Sequence, residues 1–280
     1  MKDKIVDFET TYFLNKRKEC QNAFAKNEYQ KVIDIINAPL SKIDNMLDVE
    51  IYCPQNVFDK AIFLNYLGKE VKQTSFSKIN YYDFYMMAAE SQFALDNKKE
   101  ARELFKKAIK LNPASSRARG FELLISIQLN DYEDFLARIQ DALFFAYNRA
   151  DMALFYKMLG DYLLHIGDHE MGMVSYNLSM TYKPDETIVQ IIRNTAKDLN
   201  LDIESNNYLS ENYMRKFHNT YNIPLMPNSK LSDLAIKMGE DAYNKKAYKA
   251  AKFSYEIAYE LTYDETIKKK VEELNGKVWA

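Results

Sequence analysis

Residues 82–113, YDFYMMAAESQFALDNKKEARELFKKAIKLNP, encode two helices that fold back on each other within a unit of about 34 residues. Tyr85, Ala88, Ala89 and Gln92 share the first helix, and Ala101, Phe105 and Ala108 the second. Asp96-Asn97 makes the turn and Pro113 ends the second helix. With Tyr82 as position 1, a large residue stands at 4, small residues at 8, 20 and 27, an aromatic at 24 and a proline at 32. Small residues at 8 and 20 let two helices approach closely, and an aromatic at 24 fills the space beside them.

The pattern recurs. A unit starting at Ala153 has Tyr156 at 4, Leu159 and Gly160 at 7 and 8, Gly172 at 20, Tyr176 at 24, Ser179 at 27 and Pro184 at 32. A unit starting at Ser232 has Met238 and Gly239 at 7 and 8, Ala251 at 20, Tyr255 at 24, Ala258 at 27 and Tyr263 in place of the proline. This spacing resembles the tetratricopeptide repeat (TPR) family. Weaker units lie at 13–39, where Pro39 is read as a stop, at Ser116–Tyr147, where Glu122, Leu123 and Phe135 miss the small-residue positions, and at 187–220.

The resemblance implies an all-α fold: a right-handed α-solenoid of helix hairpins with degenerate repeats and a C-terminal capping helix built on Ile267, Val271, Leu274 and Val278. Four segments are expected: an N-terminal helical region with one degenerate pair at 1–80, central repeats at 81–184, an irregular pair and linker at 185–230, and a last repeat with its cap at 231–280. Residues 40–55 read as irregular, 56–73 as helical, 74–80 as a loop, and NIPLMPNS at 222–229 as a linker, because its prolines and asparagines oppose a continuing helix. The segments lack alternating strand patterns with turn signals.

In the TPR family, positions 2, 5, 9, 12 and 13 of the first helix commonly line a concave groove. The resemblance therefore assigns protein binding to Met86, Lys157 and Ile236 at position 5, Glu90, Asp161 and Glu240 at position 9, and Phe93, Leu164 and Tyr243 at position 12. Recurrent carboxylates beside apolar side chains suit a peptide that is basic and apolar. TPR domains that grip acidic chaperone tails use Lys at 5 and Asn at 9 of their first repeat. This chain has Met86 and Glu90 there, and Phe121, Leu154 and Met158 follow, so that basic clamp is missing in this register.

Charge and motifs narrow the function further. The 38 basic and 40 acidic residues leave a net charge of -2 without a long basic block, which argues against nucleic-acid binding over a broad face. The lysine pairs and triplet at 98–99, 245–246 and 268–270 sit beside acids and read as solvated helix surface. Phosphate-loop, dinucleotide and nucleophile-elbow motifs do not occur, so no catalytic or cofactor-binding residue is assigned. His165 and His169 could share a helical face with Asp161, but Gly167-Asp168 falls where the hairpin turns, and no metal site is assigned. Cys20 and Cys53 lack metal-type spacing and read as reduced thiols. The opening MKDKIVDFETTYFLNKR carries charges where a signal peptide needs an apolar core, and no run approaches the roughly 18 apolar residues of a membrane span. The expectation is a cytoplasmic, non-enzymatic adaptor or chaperone-like protein binding a peptide or partner helix. The alternatives are a structural subunit of an assembly and a ligand-responsive regulator or enzyme on an α-solenoid.

Overall fold

Each of the three best-matching units folds as a helix hairpin: α4 (Tyr81–Ala94) with α5 (Lys98–Leu111), α8 (Arg149–His165) with α9 (His169–Tyr182), and α12 (Ser229–Asn244) with α13 (Tyr248–Thr262). Among the described residues these three pairs make the most extensive helix–helix packing. A computed structural model describes residues 2–46, 51–67, 75–76, 79–199 and 207–277. Those residues form an all-α fold with a single two-residue strand pair. They divide into two compact units, Met1–Leu129 and Asn130–Ala280, and this boundary falls inside the 81–184 segment.

The hairpins share one turn. Asp96, Gly167 and Lys246, all at position 15, adopt left-handed backbone with φ of 63°, 84° and 59°. Their N–H groups donate to Phe93, Leu164 and Tyr243, and the N–H groups of the next residues, Asn97, Asp168 and Ala247, reach back to Gln92, Leu163 and Ala242. This double closure satisfies carbonyls that a helix end otherwise leaves open. Only Gly167 escapes the cost of about 1–2 kcal/mol that a side chain incurs in this conformation.

Close approach between the paired helices follows from the small residues. A Cβ on Gly239 would lie 2.6 Å from Cε1 of Tyr255, so the ring at position 24 occupies the space that a side chain at position 8 would take. Gly160 and Tyr176 stand in the same relation. Ala89, Ala101 and Phe105 are fully buried in the equivalent hairpin. On α9, the hydroxyls of Ser175 and Ser179 each donate to a main-chain carbonyl of α8, those of Tyr156 and Ala153, at 2.7 Å. In that hairpin the small hydroxyl side chains at the contact are satisfied by the facing helix.

The first unit contains an additional hairpin of the same kind, α1 (Lys2–Phe24) with α2 (Tyr29–Met46). Asn27, at φ 59°, donates to Phe24, and Glu28 donates to Ala23, which repeats the turn described above. Counting Asn27 as position 15 puts Cys20 at position 8, Val32 at 20 and Ile36 at 24, and all three are fully buried. Phe13 of α1 packs edge-on against Tyr81 and Phe84 of α4 at 5.3 and 5.8 Å. Successive hairpins therefore stack within this unit, and α6 (Ser116–Gln128) continues the series against α5.

Several expectations need correction. Pro39 does not stop its helix: α2 runs through it to Met46, because the ring is buried on the packed face at the position where Ala108, Ser179 and Ala258 stand elsewhere. Residues 40–46 are accordingly helical, whereas 47–50 lie outside the described residues. Of the helical expectation for 56–73, α3 (Val57–Ile62) and a π-helical turn (Phe63–Leu67) are seen, and 68–73 lie outside the described residues. Within the expected loop at 74–80, β2 (Ser75–Phe76) pairs in parallel with β1 (Ile51–Tyr52). This excursion is anchored by polar bonds. Cys53 N–H donates to Leu111 O at 2.8 Å, and buried Asp59 accepts from Gln55 N–H at 2.9 Å and Asn112 Nδ2 at 3.0 Å.

The second unit runs from α7 (Phe135–Phe145) through α8 and α9 to α10 (Glu186–Asp198), α11 (Glu211–Tyr221), α12, α13 and α14 (Glu265–Lys277). Asn130, again at position 15 of its 34-residue unit, is left-handed at φ 51°, but α7 starts only at Phe135, after a second left-handed residue, Asp134. That lengthened turn explains why the unit after Ser116 begins at Ala153, three residues beyond a strict 34-residue step. α10 and α11 pack against α9, and the break expected at Asn206-Asn207 falls partly outside the described residues. α14 packs on α13 with Ile267 and Leu274 buried and Val271 half-buried, and Val278 lies outside the described residues. Tyr263 replaces the expected proline by ending α13 in left-handed backbone at φ 55°.

Candidate binding faces

Each residue assigned to the groove sits on the first helix of a hairpin. In the first unit, Met86 is buried, at 5% exposure. Glu90 is half-buried and accepts from Nη2 of Arg117, on the following helix α6, at 2.7 Å. Its side chain is 12% exposed against 65% for Arg117, so the guanidinium covers the carboxylate. Burial pushes the Glu90 carboxyl above its usual range, opposed by Arg117. Phe93 meets Phe121 edge-on at 5.7 Å, and Phe121 in turn stacks on Phe105 at 5.0 Å. A second ion pair, Arg17 with Asp83, ties α1 to the start of α4.

In the second unit, Lys157 and Asp161 of α8 pair with each other at 2.8 Å. Asp161 also accepts from the Tyr176 hydroxyl at 2.7 Å, which raises the phenol's pKa after the larger effect of burial. Leu164 lies against Gly172, whose Cβ would come within 2.9 Å of Leu164 Cδ2. On α12, Ile236 is half-buried, Glu240 lies 3.6 Å from Lys270 of α14 and keeps 53% exposure, and Tyr243 is 37% exposed. The Tyr243 hydroxyl accepts from Lys277 Nζ at 2.8 Å, and that ammonium lies 4.8 Å from the ring centroid.

The three position-9 carboxylates thus share a register but not a surrounding. Each has a cation beside it: Arg117 and Lys270 come from the following helix unit, and Lys157 from the same helix. Glu240 is the one of the three most open to solvent. Arg117 and Lys270 thus join Glu90 and Glu240 to the following helices, and Asp161 is joined to α9 by the Tyr176 hydroxyl instead.

Two features escaped the sequence reading. An open cleft of about 450 Å³ lies between α2, α4 and α5, floored by Ile33, Ile36, Leu40, Ala88 and Leu104. No sequence signal marks it, because it forms where separate hairpins meet. The other is the course of the 222–229 segment over α7, α8 and α9. His165 and His169 fall on opposite sides of the Gly167 turn, and the His165 ring lies 4.4 Å from that of Tyr132. Among the described residues no group of three His, Cys, Asp or Glu could hold a metal ion, and no helix is long and apolar enough to cross a membrane. No protein-family model matches the chain, and no curated protein is significantly similar to it.

Proposed function

We propose that this chain is a non-enzymatic interaction scaffold of TPR type that binds a peptide or partner helix along the first helices of its hairpins. The observation that carries this reading is the repeated hairpin itself. The same left-handed turn recurs at fixed register in all three hairpins, and the glycine-against-tyrosine contact in two of them, as in a helical-repeat scaffold. Helical stacks of this kind expose extended surfaces suited to peptides and amphipathic helices. At the C-terminal hairpin, exposed Glu240 one helical turn from half-open Tyr243 suits a ligand that carries a Lys or Arg beside an apolar residue.

Peptides selected from a displayed random library on the immobilised full chain test the proposal. Variants Glu240→Lys, Tyr243→Ala and Leu154→Asp alter exposed or half-exposed first-helix positions. Glu90 and Asp161 are left intact, because they hold tertiary bonds. The expected result is a basic-apolar consensus whose binding falls about tenfold with the charge reversal and weakens with salt. Selected peptides that bind all three variants equally well would overturn the proposal.

A further inference from the structure

The backbone between α11 and α12 is held as a bound peptide is held. Five successive carbonyls each accept from a side chain. Gln140 Nε2 of α7 donates to Tyr221 O at 2.9 Å and to Asn222 O at 3.4 Å. His218 Nδ1 bonds Ile223 O at 2.8 Å. The hydroxyls of Tyr156 on α8 and Tyr182 on α9 donate to Pro224 O at 2.5 Å and Leu225 O at 3.4 Å, from rings stacked 5.5 Å apart. In return, Asn228 Nδ2 donates to Phe144 O at 3.1 Å. Ile223 is fully buried between these polar contacts, and Met226, three residues on, is 72% exposed.

Contacts to main-chain carbonyls do not depend on which side chains the segment carries. Prolines at 224 and 227 remove two N–H groups and favour an extended chain. The selective element is one buried branched aliphatic residue followed by proline. The preceding helix is lightly anchored: Phe217 is the buried residue of α11. Tyr213 also meets the buried Tyr208 ring at 5.2 Å, and the remaining ties are polar: Tyr221 to Asp168 at 2.5 Å, and Tyr213 and Lys216 to Glu170, the Lys216 pair being 58% and 41% exposed. An exposed pair of that kind contributes little holding energy.

We propose that residues 221–228 are a built-in occupant of a peptide-binding surface formed by Gln140, Tyr156 and Tyr182, and that an extended peptide with an aliphatic-proline pair takes their place. The surface shares no residue with the Glu240 and Tyr243 site, so it does not rest on the ligand class proposed above. A covalent tether gives the internal segment an effective concentration of roughly millimolar order, which a free peptide must overcome. Weakening α11 should therefore uncover the surface.

A fluorescent peptide of sequence NTYNIPLMPN, residues 219–228, is titrated against the full chain by anisotropy. Phe217→Ala should tighten binding at least about tenfold over the unaltered protein by weakening the internal competitor. Adding Tyr156→Phe should reverse most of that gain, and the peptide with Ile223→Asp should not bind. If circular dichroism shows that Phe217→Ala has unfolded, Lys216→Ala with Tyr221→Phe loosens α11 through partly exposed groups instead. A folded, loosened variant that binds the peptide no better than the unaltered protein, or binds it equally with Tyr156→Phe, overturns the proposal. Variants at Glu240 and Tyr243 should leave this titration unchanged, which separates the two surfaces.

Discussion

Gly160 on α8 faces the ring of Tyr176 on α9 so closely that a β-carbon at Gly160 would stand 2.7 Å from Tyr176 Cε1 and 2.8 Å from Cδ1. That ring is nearly fully buried, and its hydroxyl is bonded to Asp161 one residue beyond the glycine. The ring therefore cannot swing aside without giving up the bond. Gly160→Leu should overpack the pair and cost about 1–3 kcal/mol, with roughly 1 kcal/mol more if the Tyr176–Asp161 bond breaks. Gly276 in α14 is the control, since a Cβ there meets no atom within 4 Å. Gly276→Ala should stabilise by up to about 1 kcal/mol through helix propensity alone. Thermal unfolding of both variants decides whether contact or propensity governs.

That same contact explains what was legible in the sequence. Gly160 and Gly239 are small because a ring lies opposite, and their spacing from Tyr176 and Tyr255, matched in register by Ala89 and Phe105, disclosed three hairpins directly. In α1 and α2 the equivalent sites hold Cys20, Val32 and Ile36, which pack equally well but do not look like the pattern. Pro39 misled because a buried ring tolerated within a helix reads the same as a helix stop. The position-9 carboxylates were found by register, but their charge environment was not. Arg117 lies 27 residues from Glu90, and only the stacking of α6 beside α4 brings them together. The carbonyl contacts of residues 221–225 were invisible for a similar reason: main-chain acceptors leave no compositional trace.

Glu90 gives a pH prediction. Burial raises its carboxyl above the unfolded value, more than Arg117 lowers it. The stability linked to its proton is thus fully present below the unfolded pKa and is lost as pH rises through the higher folded one. Glu90→Gln cannot ionise and should avoid that loss. Its unfolding midpoint relative to the unaltered protein should rise between pH 4 and pH 7. A difference that stays flat or falls over this range would show that the Arg117 bond outweighs desolvation.

Arg149 should be intolerant of lysine. At the start of α8 its Nε donates to Tyr182 O at 3.0 Å and its Nη2 donates to Thr181 O, capping the end of α9. The guanidinium also lies 4.1 Å from the Tyr263 ring centroid, and the Arg149 N–H bonds Glu260 at 3.1 Å, which ties the end of α13 to the same place. Arg149→Ala should cost about 2–3 kcal/mol, from two charge-assisted bonds less their solvation and the ring contact. Arg149→Lys keeps the charge but not the fork, and should recover less than half of the loss. Urea unfolding of the three proteins provides the comparison.

The last helix should be required for solubility rather than for ligand binding. α14 covers α13 with Ile267 and Leu274, which are 5% and 0% exposed, while Glu272, Glu273 and Lys269 face solvent. Burying each aliphatic side chain stabilises by about 1.5–3 kcal/mol. Deleting residues 265–280 also removes Lys270 from beside Glu240 and from 5.0 Å above the Tyr255 ring. Two effects follow in opposite directions. The bared apolar face of α13 should drive concentration-dependent association, seen by light scattering. Glu240, freed of its cation, should attract a basic peptide at least as well as before. Lys270→Ala isolates the second effect, because it frees Glu240 of its cation while Ile267 and Leu274 still cover α13. Truncated protein that stays monomeric with an unchanged unfolding midpoint would mean that α13 is stable without cover, and that its apolar face is no longer an argument for a cap.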